Sequence, residues 1–526
     1  MRMEAILAGH ARRRPRHEAM VHGDRRMSYG DLQASVRHCA AHLYALGVKP
    51  GDRVLLYLPN GFEFIQVLYA AFSLGAAVVP VNTRLTGREV AHICADSQPS
   101  VVAYGAEARA VIEQAAAGSD CIRLVLGDPQ AGAQVRELAL APMLAAGPQD
   151  AATRAALGEH PYRLPDIPHE RDECVILYTS GTTGKAKGAV NTHSNMLMQS
   201  VYMHGIEWGM HRDDRFMVTT PIAHRAGFAR LLNAMGLGGT LVIMDRFDAN
   251  MAVDVIERER ISVTGLPPTV IRMMLPQIRD NPARLATLRV VAVSTESFPV
   301  PLKKEVMALL PQVRFHSFLG SSEAIVSELT PEEQITHPSS VGHPLPGVEV
   351  RIEDEQGNEV ADGEAGELCV RAGPPGADAV MKCYFNNPQA TAAAFAGGWY
   401  HTGDMARRDA DGYLYVVDRK KDMVLSGGFN IYSKEVEDVL RTHPAVADAA
   451  VIGVPDAMYG EAVAAFVELR ADMTLDAQTL IEFTRTDLAG YKKPKHVWFM
   501  PLPRNSIGKV TKNDLRDEAK KRMEAA

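Results

Sequence analysis

The sequence predicts an α/β protein with a large, multi-layer N-terminal part, a hairpin-rich β region within it, and a small α+β C-terminal domain. Three observations carry the prediction. Between residues 28 and 104 short apolar runs alternate with longer amphipathic ones. The alternation resumes from 174 to 320 and breaks into short strands and turns after about 340; from 430 onward it returns over a stretch of domain size. A chain of 526 residues also exceeds what one hydrophobic core organises, so more than one domain is expected.

Each element has a local reason. "YGDLQASVRHCAAHLYALG" (29–47) has helical apolar spacing and stops at Gly47, and "DRVLLYL" (52–58) follows as a buried strand. "GFEFIQVLYAAFSLG" (61–75) predicts a helix, "AAVVPV" (76–81) a strand, "TGREVAHICADS" (86–97) a helix opened by a threonine cap, and "SVVAYG" (100–105) a strand. This βαβαβ rhythm implies a mainly parallel sheet covered by helices. Between about 127 and 170 the composition shifts to Ala, Gly, Pro and Asp, which predicts a surface excursion with a short helix in its middle. "FMVTTP" (216–221), "GTLVIM" (239–244), "SVTGLP" (262–267) and "RVVAVS" (289–294) predict further strands, and "VEVRIEDEQGNEVADGEAGELCVRA" (348–372) predicts hairpins.

The bulk chemistry excludes several function classes. Hydrophobic residues make up 46% and charged residues 23%, ordinary for a globular enzyme, and the net charge of −7 argues against a general nucleic-acid or anionic-membrane binder. The six cysteines fall at wide, irregular intervals without a CxxC pair, so neither a zinc site nor a disulfide framework is expected. The first twenty residues hold arginines and only a short apolar run, and the C-terminal "KKRMEAA" is no peroxisomal signal; the expected location is the cytoplasm, without membrane insertion.

The chemistry concentrates in "YTSGTTGKAKGAV" (178–190), which directly follows the apolar "CVIL". Glycine-rich loops bind phosphate because backbone N–H groups turn inward unobstructed by a Cβ, and a buried strand feeding such a loop is the usual geometry in α/β sheets. It is not a Walker A loop: counting back from Gly184-Lys185 puts Thr179 where the first glycine belongs, and Ala186 stands where a hydroxyl is needed.

The segment instead resembles the phosphate-loop signature of the adenylate-forming superfamily, which holds acyl-CoA synthetases, luciferases and peptide-synthetase adenylation domains. The resemblance extends over most of the chain. "PIAHRAG" (221–227), "LGSSEA" (319–324), "GELCVR" (366–371), "GWYHTGD" (398–404), "GYLYVVDRKKDMVLSGGFNIYSKEVE" (412–437) and "LPRNSIGKVTK" (502–512) follow in the family's order. It implies α/β sheets plus a β-barrel-like region over 1–417, and a mobile catalytic domain over 418–526 that swivels at Asp418.

The resemblance also implies a reaction and its residues. A carboxylate attacks the α-phosphate of Mg·ATP, pyrophosphate leaves, and a thiol displaces AMP from the acyl-adenylate; the cofactors are ATP, Mg²⁺ and coenzyme A. Thr179, Ser180, Thr182 and Thr183 would hold the β- and γ-phosphates, Gly181 and Gly184 would open the backbone, and Lys185 or Lys187 would add charge. Glu323 would ligate Mg²⁺, a hard carboxylate for a hard ion. Ser322 would touch the α-phosphate, and His224 would gate the acyl pocket. Ser297, Phe298, Leu319 and Gly320 fall at nucleotide-lining positions. Asp404 would accept the ribose hydroxyls, with Arg419 reaching the same sugar, and Gly427 and Gly428 would admit a pantetheine arm. Lys509 would bridge the acid and the α-phosphate. Taken singly, each residue also reads as a turn, a cap or a solvated charge.

Three departures stand out. Leu319 replaces the usual adenine-stacking tyrosine, with Phe318 as one candidate to compensate. Glu296 and Ser297 replace glycines in "VSTESFPVP" (293–301). Arg225 follows His224, where it either pairs with Glu296 or meets a second carboxylate of the substrate. The acyl pocket is expected from 224–233, 265–272 and 294–298.

The reading is an acid–CoA ligase acting on a free carboxylic acid. The alternatives are a stand-alone enzyme that loads an acyl carrier protein and a nucleotide-binding module without catalysis. An α-amino acid substrate is disfavoured, because 221–231 hold no aspartate for an amino group. The expected partners are the acid, ATP and CoA, with a homodimer left open.

Overall fold

The computed structural model describes residues 2–130, 137–147, 173–179, 186–294, 296, 298–426, 429–485, 487–505 and 509–524. The chain packs as two compact units, Met1–Glu349 with Val370–Tyr400, and Val350–Cys369 with His401–Ala526. The sequence places the domain boundary at 418, whereas by packing residues 350–369 and 401–417 group with the C-terminal residues.

The first unit is built on two large sheets. One has eight strands; Ala77–Pro80, Arg53–Tyr57, Val101–Gly105, Ile122–Leu126 and Glu137–Ala139 run parallel. The antiparallel hairpin of Glu173–Thr179 and Lys187–Thr192 continues that sheet, and Cys383–Tyr384 closes its edge. The other has nine strands, with Glu18–His22, Thr240–Ile243, Arg215–Val218, Val263–Gly265, Val290–Val293 and Arg314–Gly320 forming its parallel run. Parallel strands are covered on both faces, which is why these segments read as continuous apolar runs.

The helices begin and end where the sequence predicts. Tyr29–Ala45 is followed by Gly47 at φ +94°, a conformation that suits a glycine. Thr86 caps Gly87–Ser97 in a reciprocal box with Glu89, whose Oε2 accepts from the Thr86 N–H at 2.7 Å. In the excursion after 127, the helix Leu140–Ala145 matches the expected short helix, while Glu137–Ala139 adds an unexpected strand. Among the described residues no helix is long and apolar enough to cross a membrane. All six cysteines are free thiols.

An ion-pair network ties the N-terminal hairpin to Arg215 of the same sheet and to Glu259, which follows the helix Ala249–Arg258. Arg26 grips Glu259 with two bonds of 2.7 and 2.8 Å, and Arg215 reaches Glu259 and Glu18 at 2.8 Å each. The Arg26 fork draws the Glu259 carboxyl from its ordinary 4.5 down to about 2. A carboxylate depressed in the native state contributes stability that is complete above pH 4.5 and is lost as pH falls toward about 2. Glu259→Gln is therefore expected to cost roughly 2–3 kcal/mol at pH 7. The difference from wild type should fade in urea unfolding at pH 4 and 3; an equal difference at pH 3 would refute the ion-pair account.

The second unit holds a four-stranded sheet in the order Glu349–Glu353, Ala365–Arg371, Tyr400–Arg408, Leu414–Arg419, and a five-stranded one around the long pair Val446–Asp456 and Gly460–Leu469. Strand alternation gives this pair two apolar faces. Ala449 and Val451 pack against Val436 and Leu440 of the helix Ser433–Arg441, whereas Ala450 and Ile452 pack against Leu515 and Ala519 of Lys512–Glu524. A helix on each face of a small sheet is the α+β architecture expected for this region.

Candidate active site

Thr179 and Lys187 are partners in the antiparallel ladder, so the strands bring both ends of the glycine-rich segment together. Ser180, Gly181, Thr182, Thr183, Gly184 and Lys185 lie outside the described residues. Beside the ladder sits Glu323, only 9% exposed, whose Oε1 accepts from Thr179 Oγ1 and from the Tyr384 hydroxyl, each at 3.2 Å. Lys187 Nζ lies 5.1 Å from the centre of the Tyr384 ring. Burial and the Glu323 carboxylate push the Tyr384 phenol above its ordinary range, so it stays a donor.

The backbone here is pinned. Glu323 N–H donates to Ser321 Oγ at 3.1 Å, its carbonyl accepts from Met381 at 2.6 Å, and Asn191 Nδ2 donates to the Ser322 carbonyl at 3.1 Å. A buried carboxylate beside two hydroxyl oxygens offers the oxygen ligands that a hard divalent cation takes, and the nearby ammonium group suits a polyphosphate.

A small cavity, partly open to solvent, opens beside the helix Arg225–Leu237. Ala226, Ala229 and Arg230 of that helix, Gly265 to Pro267, and Ser294 line it, so the three stretches expected to form the acyl pocket meet. Thr219, Thr220, Ala292 and Phe318 complete it. His224 caps the helix, its Nδ1 accepting from the Ala226 N–H at 3.4 Å.

The structure corrects two readings. Arg225 does not pair with Glu296: its Nη2 donates to Gln199 Oε1 at 2.5 Å, and Glu296 accepts from the Thr269 N–H at 2.7 Å, in the first turn of Pro268–Asp280. A carboxylate at a helix N-terminus answers the exposed N–H groups and needs no arginine. Phe318 does not cover for Leu319, because neighbours on a strand face opposite ways. Phe318 packs on His204 and Trp208 with ring centres 5.2 and 5.6 Å apart.

Gly320 ends the same strand, and a Cβ there would meet the Ala324 carbonyl at 3.3 Å. Phe298 packs toward Phe315 at 6.4 Å, with Lys303 Nζ 5.3 Å from its ring. Ser297 lies outside the described residues.

In the second unit Asp404 and Arg419 face each other across the antiparallel ladder, Arg419 Nε 2.6 Å from Asp404 Oδ1. Asp418 is 5% exposed, and its carboxylate accepts from the Ser433 hydroxyl at 3.0 Å and from the Ser433 N–H, at the start of the helix Ser433–Arg441. Burial pushes the Asp418 carboxyl up, against the pull of Lys512. Lys509 is exposed; its N–H donates to Asn505 Oδ1 at 3.0 Å and its carbonyl accepts from Asn505 N at 2.8 Å. Gly427 and Gly428 lie outside the described residues.

Comparison with known proteins decides what these pieces belong to. The family model described as AMP-binding enzyme matches residues 7–385, and that of the AMP-binding enzyme C-terminal domain matches residues 435–509. The chain belongs to the AMP-binding enzyme family.

This AMP-binding enzyme is 35% identical over 514 residues to a feruloyl-CoA synthase from an Amycolatopsis species, with 96% of each chain covered. It is also 35% identical over 514 residues to the long-chain-fatty-acid–CoA ligase FadD13 of Mycobacterium tuberculosis, again with 96% of each chain covered. The fold matches ATP-bound MatB from Rhodopseudomonas palustris with a TM-score of 0.86 at 29% identity, covering 98% of this chain and 99% of that one.

Two site residues escaped the sequence reading. Tyr384 stands 61 residues from the Glu323 it touches, with nothing local to link them. Arg230 interrupts the apolar run "AGFARLLNAMG" (226–236), and a lone arginine on a buried helical stripe was the available signal.

Proposed function

We infer that this AMP-binding enzyme is an acid–CoA ligase. An oxygen of the acid attacks the α-phosphorus of ATP, the bond to pyrophosphate breaks, and an acyl-adenylate forms. The CoA sulfur then attacks the acyl carbon, the bond to the AMP oxygen breaks, and the thiol proton passes to solvent. The observation that carries this reading is the meeting of Thr179, Lys187, Glu323 and Tyr384 at the two described ends of the glycine-rich segment. The relatives are named for CoA thioesters, which favours CoA over a carrier protein as acceptor.

Within this reading, Thr179 and Lys187 orient and neutralise the polyphosphate, together with Ser180 to Lys185. Glu323 holds Mg²⁺, which supplies charge neutralisation at the phosphates. Ser322 meets the α-phosphate, and Leu319, Gly320, Ser297 and Phe298 border the nucleotide. Asp404 accepts the ribose hydroxyls, oriented by Arg419. His224 guards the acyl entrance, Gly427 and Gly428 flank the pantetheine arm, and Lys509 stabilises the adenylation transition state.

The direct test is a pyrophosphate-release screen across short, medium, long and aromatic acids, with and without CoA. Acid-dependent release and CoA-dependent thioester are expected. An enzyme that releases no pyrophosphate with any acid would overturn the reading.

We further propose that the chain swivels at Asp418 between the two steps. Asp418→Pro should then slow thioester formation more than adenylation. Asp418 also caps the helix through Ser433, but loss of a cap alone would leave the ratio of the two half-reactions unchanged. An unchanged ratio refutes the swivel.

A further inference from the structure

The helix Arg225–Leu237 carries two arginines to which no carboxylate among the described residues is paired. Arg230 is 3% exposed, and its Nε and Nη1 are buried without a hydrogen-bond partner among the described residues. Arg225 gives one bond to a neutral amide, and its own Nε is buried and unpartnered. No salt bridge reaches either guanidinium among the described residues. Buried charges in proteins are ordinarily paired, and one left alone is strongly unfavourable.

The surroundings are polar but not acidic. His204 is 1% exposed, both its ring nitrogens lack partners among the described residues, and it stacks on Trp208 at 4.2 Å. Ser200 Oγ and Asn233 Oδ1 are likewise buried and unpartnered. Ser200 belongs to a stretch that departs from α-helical winding, and His204 directly follows it: Met198–Met203 forms a π-helical segment, a feature often found at functional sites. Burial, with mutual repulsion, lowers Arg230 to about 9; burial lowers Arg225 to about 10 and, with both arginines nearby, holds His204 well below its ordinary range. At neutral pH this leaves two cations and a neutral imidazole.

Arg230 is also a lining residue of the cavity. It stands beside Gly265, where an added Cβ would lie 3.5 Å from Arg230 Nε, so a side chain at 265 would pack against the guanidinium. The neighbouring walls, Ala226, Ala229, Leu266 and Ala292, are apolar and offer no counter-charge.

We propose that the acid activated by this enzyme carries a second carboxylate, which enters the cavity and binds Arg230 while the first is adenylated: the substrate is a dicarboxylic acid. This rests on the acid–CoA ligase reading above. Arg225 adds a second positive charge at the same end of the helix. An arginine is the natural partner for a carboxylate because its planar donors match carboxylate oxygens.

The test compares matched acids on the full-length enzyme with Mg·ATP and CoA, reading kcat/KM for pyrophosphate release. The pairs are butanoate with butanedioate, hexanoate with hexanedioate, octanoate with octanedioate, and 3-phenylpropanoate with its para-carboxy derivative. In at least one pair the diacid should exceed its partner by at least about 100-fold, and the monomethyl ester of the best diacid should fall back with the monoacids. Arg230→Met, similar in length but uncharged, should lose most of the diacid rate and raise the monoacid rate, a gain that an unfolded variant cannot show.

Monoacids turned over at least as well as every diacid would overturn the proposal while leaving the ligase reading intact, and so would an Arg230→Met enzyme that keeps the diacid preference. No pyrophosphate from either series would overturn both.

Discussion

Lys509→Ala is expected to slow acyl-adenylate formation by about 10³-fold while thioester formation from supplied acyl-adenylate stays within a few-fold of wild type. The asymmetry follows from where charge accumulates. In the first step an anionic carboxylate must approach an α-phosphate that is itself negative, and the transition state gathers further charge on the phosphate oxygens. Two unit charges about 4 Å apart repel by roughly 4 kcal/mol at an effective dielectric of 20. A cation placed between them offsets a repulsion of that size, which corresponds to about 10³ in rate.

In the second step a thiol attacks a neutral carbonyl, so the same ammonium group has much less to stabilise. The Lys509 side chain is exposed, and its backbone is held by both bonds to Asn505, so the substitution should leave the fold and Tm nearly unchanged. The measurement is single-turnover kinetics of each half-reaction, with Lys509→Arg as a variant that keeps charge but changes shape. Equal loss in both half-reactions would remove Lys509 from its assigned role.

What could be read before the structure was known divides along physical lines. Features that a few neighbouring residues decide were legible. The threonine cap at 86 with Glu89 three residues on, the glycine stop at 47, and the parallel strands written as continuous apolar runs all appear where expected. The order of motifs singled out Asp404 and Arg419 for one sugar, and their ion pair across the ladder is a contact that the motifs alone did not state.

Features decided by packing were not legible. Glu296 looks unusual in "VSTESFPVP" and turns out to serve the first turn of a neighbouring helix, a role that depends on where Pro268–Asp280 lands. Phe318 and Leu319 are adjacent in sequence but face opposite sides of a strand, so one could not substitute for the other. Arg230 sits five residues after Arg225 on the same helix, and no local rule says which arginine a sheet will bury. Arg225 is where the sequence places a possible second carboxylate, whereas the more deeply buried group, with two unpartnered nitrogens and a place in the cavity lining, is Arg230.

Glu323→Gln is expected to preserve the fold and to cut pyrophosphate release by about 100-fold or more, with a higher Mg²⁺ concentration needed for half-maximal rate. The choice of glutamine separates the two things the carboxylate does. Oε1 accepts from Thr179 and from Tyr384, and an amide oxygen in the same place can accept both bonds, so neither buried hydroxyl is orphaned. What glutamine removes is the negative charge, and it turns the second oxygen into a donor that no cation will approach. Glu323→Asp makes the opposite cut: it keeps the charge but withdraws it by one methylene, away from Thr179 and Tyr384. If Glu323 acts through its charge, the aspartate variant outperforms the glutamine variant; if it merely pins Thr179 and Tyr384, the order reverses. The refuting result is a glutamine enzyme with the wild-type rate and an unchanged Mg²⁺ requirement, which would make Glu323 a structural anchor for the base of the loop.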